Sequence, residues 1–517
     1  MKKQNRIKKS FLNSSANVTI YLIQSILSFV VRTVFIRKLG SELLGLDSLL
    51  INILTALSLA DLGISTAISY GLYKPLADNK IKKINAYMCF YKKVYRIIGS
   101  VIIFIGFILM LFLRKIVGDV SYPYLYIIYL LYLFNTVSLY FISYKDILLV
   151  ADQKNYKIFK YNCFFNSSIY VFQFILLMFY PNYILYILIM ILSKLINRVI
   201  INRYITKEYK EIDFNSKEKL TKKEIESIKN TVSGLLCYRI GDYAINCTDN
   251  IIISSIINVV TVGVYTNYLS IISILKTIIS NLFYGITSSY GNLVTEKNKE
   301  AEFNVFNIMS FIGFFITGYV TLCFLNLLNP FVQLWIGKKY VISLISMILI
   351  CINFYLICNQ MPLDTVKQAN GFCNKDKYVP VIQAIINIVL SIILGKILGL
   401  NGIIIATAIS YIVTVFWNKP YMLYKYIFRK SSKGYFLNQF KYCITIIICY
   451  LITYNLFNYL NLNISILSII IIAIITSLIY LLIVTLLYFR TSEYKFLLNF
   501  IKCFILRFIR RSDKYEG

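Results

Sequence analysis

Long apolar runs separated by short polar breaks recur along the whole 517-residue chain. A helix needs about 20 mainly apolar residues to cross a bilayer, and these runs reach that length. They are continuous and do not alternate with a period of two, which favours helices over the strands of a barrel. We predict an all-α integral membrane protein with about fourteen spans, at residues 17–36, 48–72, 94–113, 124–144, 161–180, 183–202, 231–257, 264–290, 304–328, 341–360, 379–395, 402–417, 442–459 and 463–489.

An internal repeat divides these spans into two halves. Three pairs of identical residues share one offset of 218 residues: Gly45 and Gly263, Asp146 and Asp364, and Ala151 and Ala369. Each half has six spans, an even number, so the halves insert in the same sense as parallel repeats with a site at their interface. The predicted layout is a basic N-terminus at 1–16, an N-lobe at 17–205, a linker at 206–230, a C-lobe at 231–425, two peripheral helices at 426–489 and a basic amphipathic tail at 490–517.

Charged side chains interrupt the seventh span. Arg239, Asp242, Asn246 and Asp249 follow one another at i, i+3, i+7 and i+10, so they share one face of a helix. A charge at the bilayer centre costs about 2.5 to 3.5 kcal/mol even on the lenient insertion scale. This polar stripe must therefore face protein or water. Either its Arg and Asp pair within a packed bundle, or the stripe lines a hydrated cavity.

Polar stripes also follow three further spans. Gln24 and Arg32 belong to a stripe on the first span, Asp61 to one on the second and Lys276 to one on the eighth. These helices, with the seventh, are the first two of each half and can enclose one hydrated cavity. For the hydroxyl groups alone we favour interhelical hydrogen bonding. For the charged groups we favour the cavity.

The basic charge of the chain is explained mainly by membrane topology. The sequence contains 54 Lys and Arg against 23 Asp and Glu, a net charge of +31. If the N-terminus is cytoplasmic, most of these cations fall in inner loops and few in outer loops, as the positive-inside rule requires. We therefore predict that both termini are cytoplasmic, and that the excess charge meets anionic lipid headgroups and not nucleic acid.

Several classes of chemistry are disfavoured. His is absent, and the eleven Cys are scattered without a C-x-x-C pair, so no metal site is implied. The sequence contains no G-x-x-x-x-G-K-[ST] motif, which argues against ATP hydrolysis by this chain. We expect no catalytic residues and no cofactor other than Na⁺ or H⁺ as a coupling ion.

The residues from Arg32 to Ile84 resemble the start of the polysaccharide flippases, which export lipid-linked oligosaccharides in the multidrug/oligosaccharidyl-lipid/polysaccharide superfamily. The features that carry this resemblance are Leu39-Gly40 ahead of Gly45, Ala60-Asp61-Leu62-Gly63, Tyr73-Lys74-Pro75, Thr248-Asp249-Asn250 and Val262-Gly263-Val264-Tyr265. The resemblance implies a two-lobed transporter of the bacterial cytoplasmic membrane. Such a protein moves an undecaprenyl-diphosphate-linked oligosaccharide from the inner to the outer leaflet by alternating access, for surface polysaccharide such as O-antigen or capsule, and glycan polymerase machinery is an expected partner.

A diphosphate needs cationic partners, and Arg32, Arg239 and Lys276 are the candidates that we assign within the spans. The acids Asp61, Asp242 and Asp249 balance these charges and either couple transport to Na⁺ or H⁺ or pair with the bases. Together with Gln24 and Asn246 they are the predicted cavity-lining residues.

Three other functions stay open. The hypothesis of a cation-coupled multidrug exporter of the same superfamily would be favoured by an acidic cavity, and the cations argue against it. A membrane-embedded glycan polymerase or ligase would need a sizeable outer loop with catalytic groups, and the predicted outer loops are short. A purely structural partner in a glycan assembly complex would not require charges in both halves.

Overall fold

The structure is a computed structural model. It describes residues 2–58, 63–117, 124–152, 154, 156–296, 298–372, 376, 378–460, 463–499 and 502. Within these ranges the side chains of residues 2–22, 156, 234–240, 242, 244–246, 288 and 295 are not described. The predicted site residue Asp61 and most of the predicted tail lie outside the described residues.

The chain divides into two compact units, residues 1–266 and 267–517. The first unit contains α1 (Lys2–Leu57), α2 (Ile64–Ala77), α3 (Ile81–Val117), α4 (Leu125–Ile142), α5 (Asp146–Ala151), α6 (Tyr156–Phe179), α7 (Tyr183–Glu208), α8 (Lys222–Ile256) and the start of α9 (Val259–Thr295). Within it α6 packs on α7 and α1, α1 also packs on α8, and α4 packs on α3 and α7. The predicted lobes rest on the sequence repeat and stay a prediction.

The second unit contains the rest of α9 and α10 (Lys299–Ile336), α11 (Leu344–Cys358), α12 (Met361–Ala369), α13 (Val379–Leu398), α14 (Leu400–Tyr411), α15 (Trp417–Leu423), α16 (Lys433–Leu460) and α17 (Ile466–Tyr488). Helix α14 continues into α15 through a π-helical turn at Ile412–Phe416, so Leu400–Phe428 runs as one long helical segment. Helices α13 and α14 form a hairpin, and α11 packs on α10 and α14.

The prediction of an all-α membrane protein is confirmed. In the part of the chain that the structure describes, twelve helices are long and apolar enough to cross a membrane. Two differences from the predicted spans have local causes. Gly40, with φ +88°, interrupts α1, and helical structure resumes at once, so the first span and the start of the second form one element that ends at Leu57. Helix α8 contains the seventh predicted span, but its charged residues keep its mean hydropathy low.

Two of the residue pairs that define the sequence repeat occupy matching positions in the short helices α5 and α12. Asp146 begins α5 and Ala151 ends it, while Asp364 lies in the first turn of α12 and Ala369 ends that helix. Each aspartate also faces a base on a later helix of its own unit. Asp146 lies within electrostatic range of Arg198 on α7, and Asp364 forms a 2.7 Å ion pair with Lys419 on α15.

The two predicted peripheral helices, α16 and α17, pack on α10 through aromatic side chains. The rings of Phe314 and Tyr442 stack with centroids 4.0 Å apart and planes 7° from parallel. Tyr480 on α17 is fully buried and donates a 3.0 Å hydrogen bond to the carbonyl oxygen of Phe315. A buried Asn326 on α10 donates to the hydroxyls of both Thr453 and Thr476, so α16 and α17 also share a polar contact.

The connection between α7 and α8 is shorter than the predicted linker at 206–230. Residues from Lys222 onward belong to α8, whose N-terminus is closed by a capping box between Thr221 and Glu224. Lys83 on α3 forms a 2.7 Å ion pair with Glu224. The connection between α7 and α8 is thereby held against the start of α3.

Candidate functional site

A polar cavity of about 430 Å³ lies within the first compact unit, among α1, α4, α6 and α7. This volume falls in the range of roughly 300 to 1,000 Å³ that is typical of small-molecule sites. Its charged lining residues are Arg32, Asp47 and Lys194. Its other polar lining residues are Gln24, Ser28, Tyr132, Asn166, Tyr170, Gln173 and Tyr186.

Arg32 links this cavity to α9. Its guanidinium donates a 3.0 Å hydrogen bond to the hydroxyl of Thr266, which in turn donates to the carbonyl oxygen of Gly263. Gln24 and Ser28 precede Arg32 by two turns and one turn on the same face of α1, as the polar stripe predicts, and both line the cavity. The described part of the predicted stripe therefore faces a cavity and not lipid.

Asp47 supplies the negative charge of the cavity. Its Oδ1 accepts hydrogen bonds from the hydroxyl of Tyr132 on α4 and, at 3.2 Å, from that of Tyr183 on α7. Arg32 and Lys194 both lie within electrostatic range of its carboxyl group. A buried carboxylate is expensive unless charges and hydrogen bonds compensate it, and here both are provided.

Lys194 is a second cation of the cavity. It lies on α7 and is partly buried, and among the described residues no acceptor lies within hydrogen-bonding or ion-pair distance of its ammonium group. Arg198, one turn further along α7, donates instead to the carbonyl oxygen of Asn135 and to Ser138. The lining of the cavity thus carries two cations against one carboxylate, an arrangement suited to an anionic group.

The aromatic and amide side chains add a neutral binding surface. Gln173 is buried and donates a 3.1 Å hydrogen bond to the carbonyl oxygen of Tyr186. The rings of Phe35, Tyr183 and Tyr186 contact one another, with centroids 5.0 to 6.4 Å apart. Hydroxyl and amide groups beside aromatic faces can hydrogen-bond and pack against a polar organic molecule.

The structure brings together only some of the predicted site residues. Arg32 and Gln24 share the cavity. Asp249 is buried on α8 and lies within electrostatic range of Tyr265. Lys276 is partly buried on α9 in the second unit, within electrostatic range of Cys358. The structure describes the backbone of Arg239, Asp242 and Asn246 as part of α8, but it does not describe their side chains. Asp61 lies outside the described residues.

Sequence reasoning missed Asp47 and Lys194. Lys194 lies inside the predicted span 183–202, together with Arg198, so the restriction of the cations within spans to Arg32, Arg239 and Lys276 was wrong. Asp47 stands one residue before the predicted second span, so the predicted bounds 17–36 and 48–72 leave it between spans. A charge count over each whole helix would have found both residues.

The fold and this cavity define a multi-pass helical membrane protein with a polar internal site. The family model for polysaccharide biosynthesis proteins matches residues 11–284, just over half of the chain. The chain therefore belongs to the polysaccharide biosynthesis protein family, which confirms the resemblance seen in its sequence. No curated protein matches the chain.

Solved structures share the fold at low sequence identity. The lipid II flippase MurJ, in an inward closed conformation, aligns with a TM-score of 0.63 and 18% identity over 92% of this chain and 99% of its own. An inward-facing MATE family multidrug resistance transporter of the MOP superfamily aligns with a TM-score of 0.60 and 14% identity over 77% of this chain and 97% of its own. The Vibrio cholerae MATE transporter VcmN aligns with a TM-score of 0.54 and 13% identity over 83% of this chain and 98% of its own.

Proposed function

We propose that this protein is a flippase that moves a polyprenyl-diphosphate-linked oligosaccharide from the inner to the outer leaflet of the bacterial cytoplasmic membrane for surface polysaccharide synthesis. The observation that carries the proposal is the cavity, whose described lining contains the two cations Arg32 and Lys194 and the one carboxylate of Asp47. Family membership and the fold shared with a lipid II flippase and with multidrug transporters support it.

The chemistry of the cavity fits the two parts of such a substrate. A guanidinium can bind phosphate oxygens through two hydrogen bonds, and an ammonium group adds a point charge. Amides and tyrosines can hydrogen-bond sugar hydroxyls and pack against sugar rings. In this proposal Arg32 and Lys194 bind the diphosphate, and Gln24 contributes to the cavity wall. Arg239 and Lys276 stay candidates from the sequence for the same role. The protein itself performs no bond-making chemistry.

Transport against a gradient needs an energy source, and we propose that Na⁺ or H⁺ supplies it. The candidate acids are Asp61, Asp242 and Asp249, with Asn246 as a neutral oxygen ligand. Of these, Asp249 is buried in the helix that packs on α1, a position from which its charge can influence that helix. Glycan polymerase machinery is the expected partner, since it uses the exported substrate.

A drug exporter is the second candidate, because MATE multidrug transporters share the fold. The excess of cations over acids in the described cavity favours an anionic substrate over the cationic compounds that an acidic cavity would accept. Neighbouring genes would separate the two, since glycosyltransferases and a polymerase beside this gene select the flippase.

Complementation of a transporter-deficient strain tests the proposal. Arg32→Ala, Lys194→Ala and Arg239→Ala are expected to insert normally and to abolish glycan export, because each removes one positive charge available to the diphosphate. Lys38→Ala is the matched control, since Lys38 is an exposed cation on the same helix as Arg32 and does not line the cavity. Full export by all three variants would refute the diphosphate site.

A further inference from the structure

A second concave site lies away from the cavity, where α7 leaves the apolar region. This basic groove has a volume of about 540 Å³ and is lined by Lys145, Asn202, Arg203, Thr206, Lys207 and Lys210, with Val199 at its apolar edge. Among the described residues that line it are four cations and no acid. The groove belongs wholly to the first compact unit.

The side chains of the groove are arranged by the end of α7. Arg203, Lys207 and Lys210 recur at intervals of four and three residues, so they project from one side of the chain as α7 ends at Glu208. Lys145 joins them from the turn before α5 and donates a 2.7 Å hydrogen bond to the hydroxyl of Thr206. Its ammonium group also lies 4.3 Å from the ring centroid of Phe214.

Two acids close to this end of α7, Glu208 and Asp152, are engaged with other partners. Glu208 pairs with Lys157 and, at 3.9 Å, with Lys154. Asp152 pairs with Lys154 at 2.7 Å and accepts a hydrogen bond from Tyr209. In the described part of the chain, no carboxylate lies within ion-pair distance of the three exposed cations of the groove.

The position of the groove relative to the bilayer indicates which class of ligand can reach it. Helix α7 is mainly apolar from Tyr183 to Ile201, where its basic residues are Lys194 and Arg198, and its exposed basic residues begin at Arg203. Lys and Arg at the ends of membrane helices extend to the headgroup layer, where lipid phosphates lie. On the predicted topology this is the cytoplasmic leaflet. Basic pockets between membrane helices on that side bind phosphorylated lipid headgroups.

We infer that the basic groove binds the headgroup of a membrane lipid that carries two phosphates. Four cations around one concave site exceed the charge of a singly charged phosphate and match a ligand with at least two negative charges. Two sources have this chemistry: a polyprenyl diphosphate, and a phospholipid whose headgroup joins two phosphates. The inference concerns binding alone and holds whether or not the proposed transport substrate is correct.

Lipid retention by the purified full-length chain tests the site. The protein is placed in phosphatidylcholine nanodiscs containing undecaprenyl diphosphate, cardiolipin or phosphatidylglycerol, and bound lipid is counted by native mass spectrometry. The triple substitution Arg203→Gln, Lys207→Gln and Lys210→Gln is expected to weaken retention of two-phosphate lipids at least about tenfold, because each basic residue near the surface contributes measurably to anionic lipid binding.

The matched control removes the same charge from the connection between α7 and α8 and from the first turn of α8, by Lys217→Gln, Lys219→Gln and Lys223→Gln, three exposed residues outside the groove. Its lipid retention is expected to equal that of the wild type. If the triple groove variant aggregates on size exclusion, Lys207→Gln alone repeats the test, with a smaller loss expected.

The lipid probes separate the two sources. Groove-dependent retention of undecaprenyl diphosphate would identify a binding site for the polyprenyl carrier. Groove-dependent retention of cardiolipin alone would identify a bound phospholipid. Either result supports the inference. Equal losses in the groove variant and the control overturn it. So does equal groove-dependent retention of the single-phosphate lipid, because the site would then not select two phosphates.

Discussion

Gly45 and Gly263 lie against each other where α1 crosses α9. A Cβ at Gly45 would lie 2.0 Å from the carbonyl oxygen of Val259, and a Cβ at Gly263 would lie 2.0 Å from that of Ser41. The two contacts are equivalent, because Ser41 and Val259 are separated by the same 218 residues as the two glycines. The crossing is therefore a local two-fold relation between the repeats, and only glycine permits it.

Gly45→Ala or Gly263→Ala is expected to destabilise the protein by about 1 to 3 kcal/mol, because the added methyl group meets backbone and forces the helices apart. Thermal unfolding in detergent measures the effect. The control is Gly285→Ala, a helical glycine whose Cβ would meet nothing within 4 Å, where alanine should be neutral or stabilising. Equal melting temperatures for Gly45→Ala and the wild type would contradict the close crossing.

Substitutions at Tyr183 and Asp47 test how much the hydrogen bonds and charges of the cavity contribute to stability. Tyr183→Phe removes one hydrogen bond to the carboxylate and is expected to cost about 1 kcal/mol. Asp47→Asn should cost more, because it removes the negative charge that compensates Arg32 and Lys194.

The order of the melting temperatures checks this prediction, with the wild type highest, Tyr183→Phe next and Asp47→Asn lowest. A more stable Asp47→Asn variant would mean that the desolvation of Asp47 outweighs its interactions.

The stacked pair of Phe314 and Tyr442 should hold α16 on α10. Tyr442→Ala is expected to destabilise the protein by about 3 to 5 kcal/mol, through lost burial and a cavity at the stack. Tyr442→Phe keeps the ring and should change little. Tyr459→Ala is the control on the same helix, since Tyr459 is 87% exposed. Scanning fluorimetry of the three variants measures the difference, and an equal effect at Tyr442 and Tyr459 would argue against the docking.

The Lys83 and Glu224 ion pair predicts a pH-dependent contribution to stability. The hydrogen bond from Lys83 lowers the pKa of Glu224 below its usual 4.5, aided by the backbone of Thr221. A lowered folded pKa gives stability that is present above pH 4.5 and is lost as the pH falls through the folded value.

Glu224→Gln keeps an acceptor for the capping box and removes only the charge. The wild type should melt above this variant at pH 7, by a small margin because solvent screens a largely exposed pair. The gap should close as the pH falls below 4.5. A gap that stays constant across this interval would rule out the ionic contribution.

The sequence by itself determined that the protein is helical and crosses a membrane many times, because each span must satisfy its backbone internally and stay apolar over its own length. It also identified the polar face of α1 with Gln24 and Arg32, since side chains one turn apart share a face whatever packs against them.

Only the tertiary structure decided which side chains share the cavity. Asp47 meets Tyr132 and Tyr183 across 85 and 136 residues of chain, and no local period relates them. The same holds for Gly45 and Gly263, whose equivalence is visible in the sequence but whose contact is not. The spacing of side chains along one helix is a local property, whereas the packing partners of that helix depend on the shapes of all the helices around it.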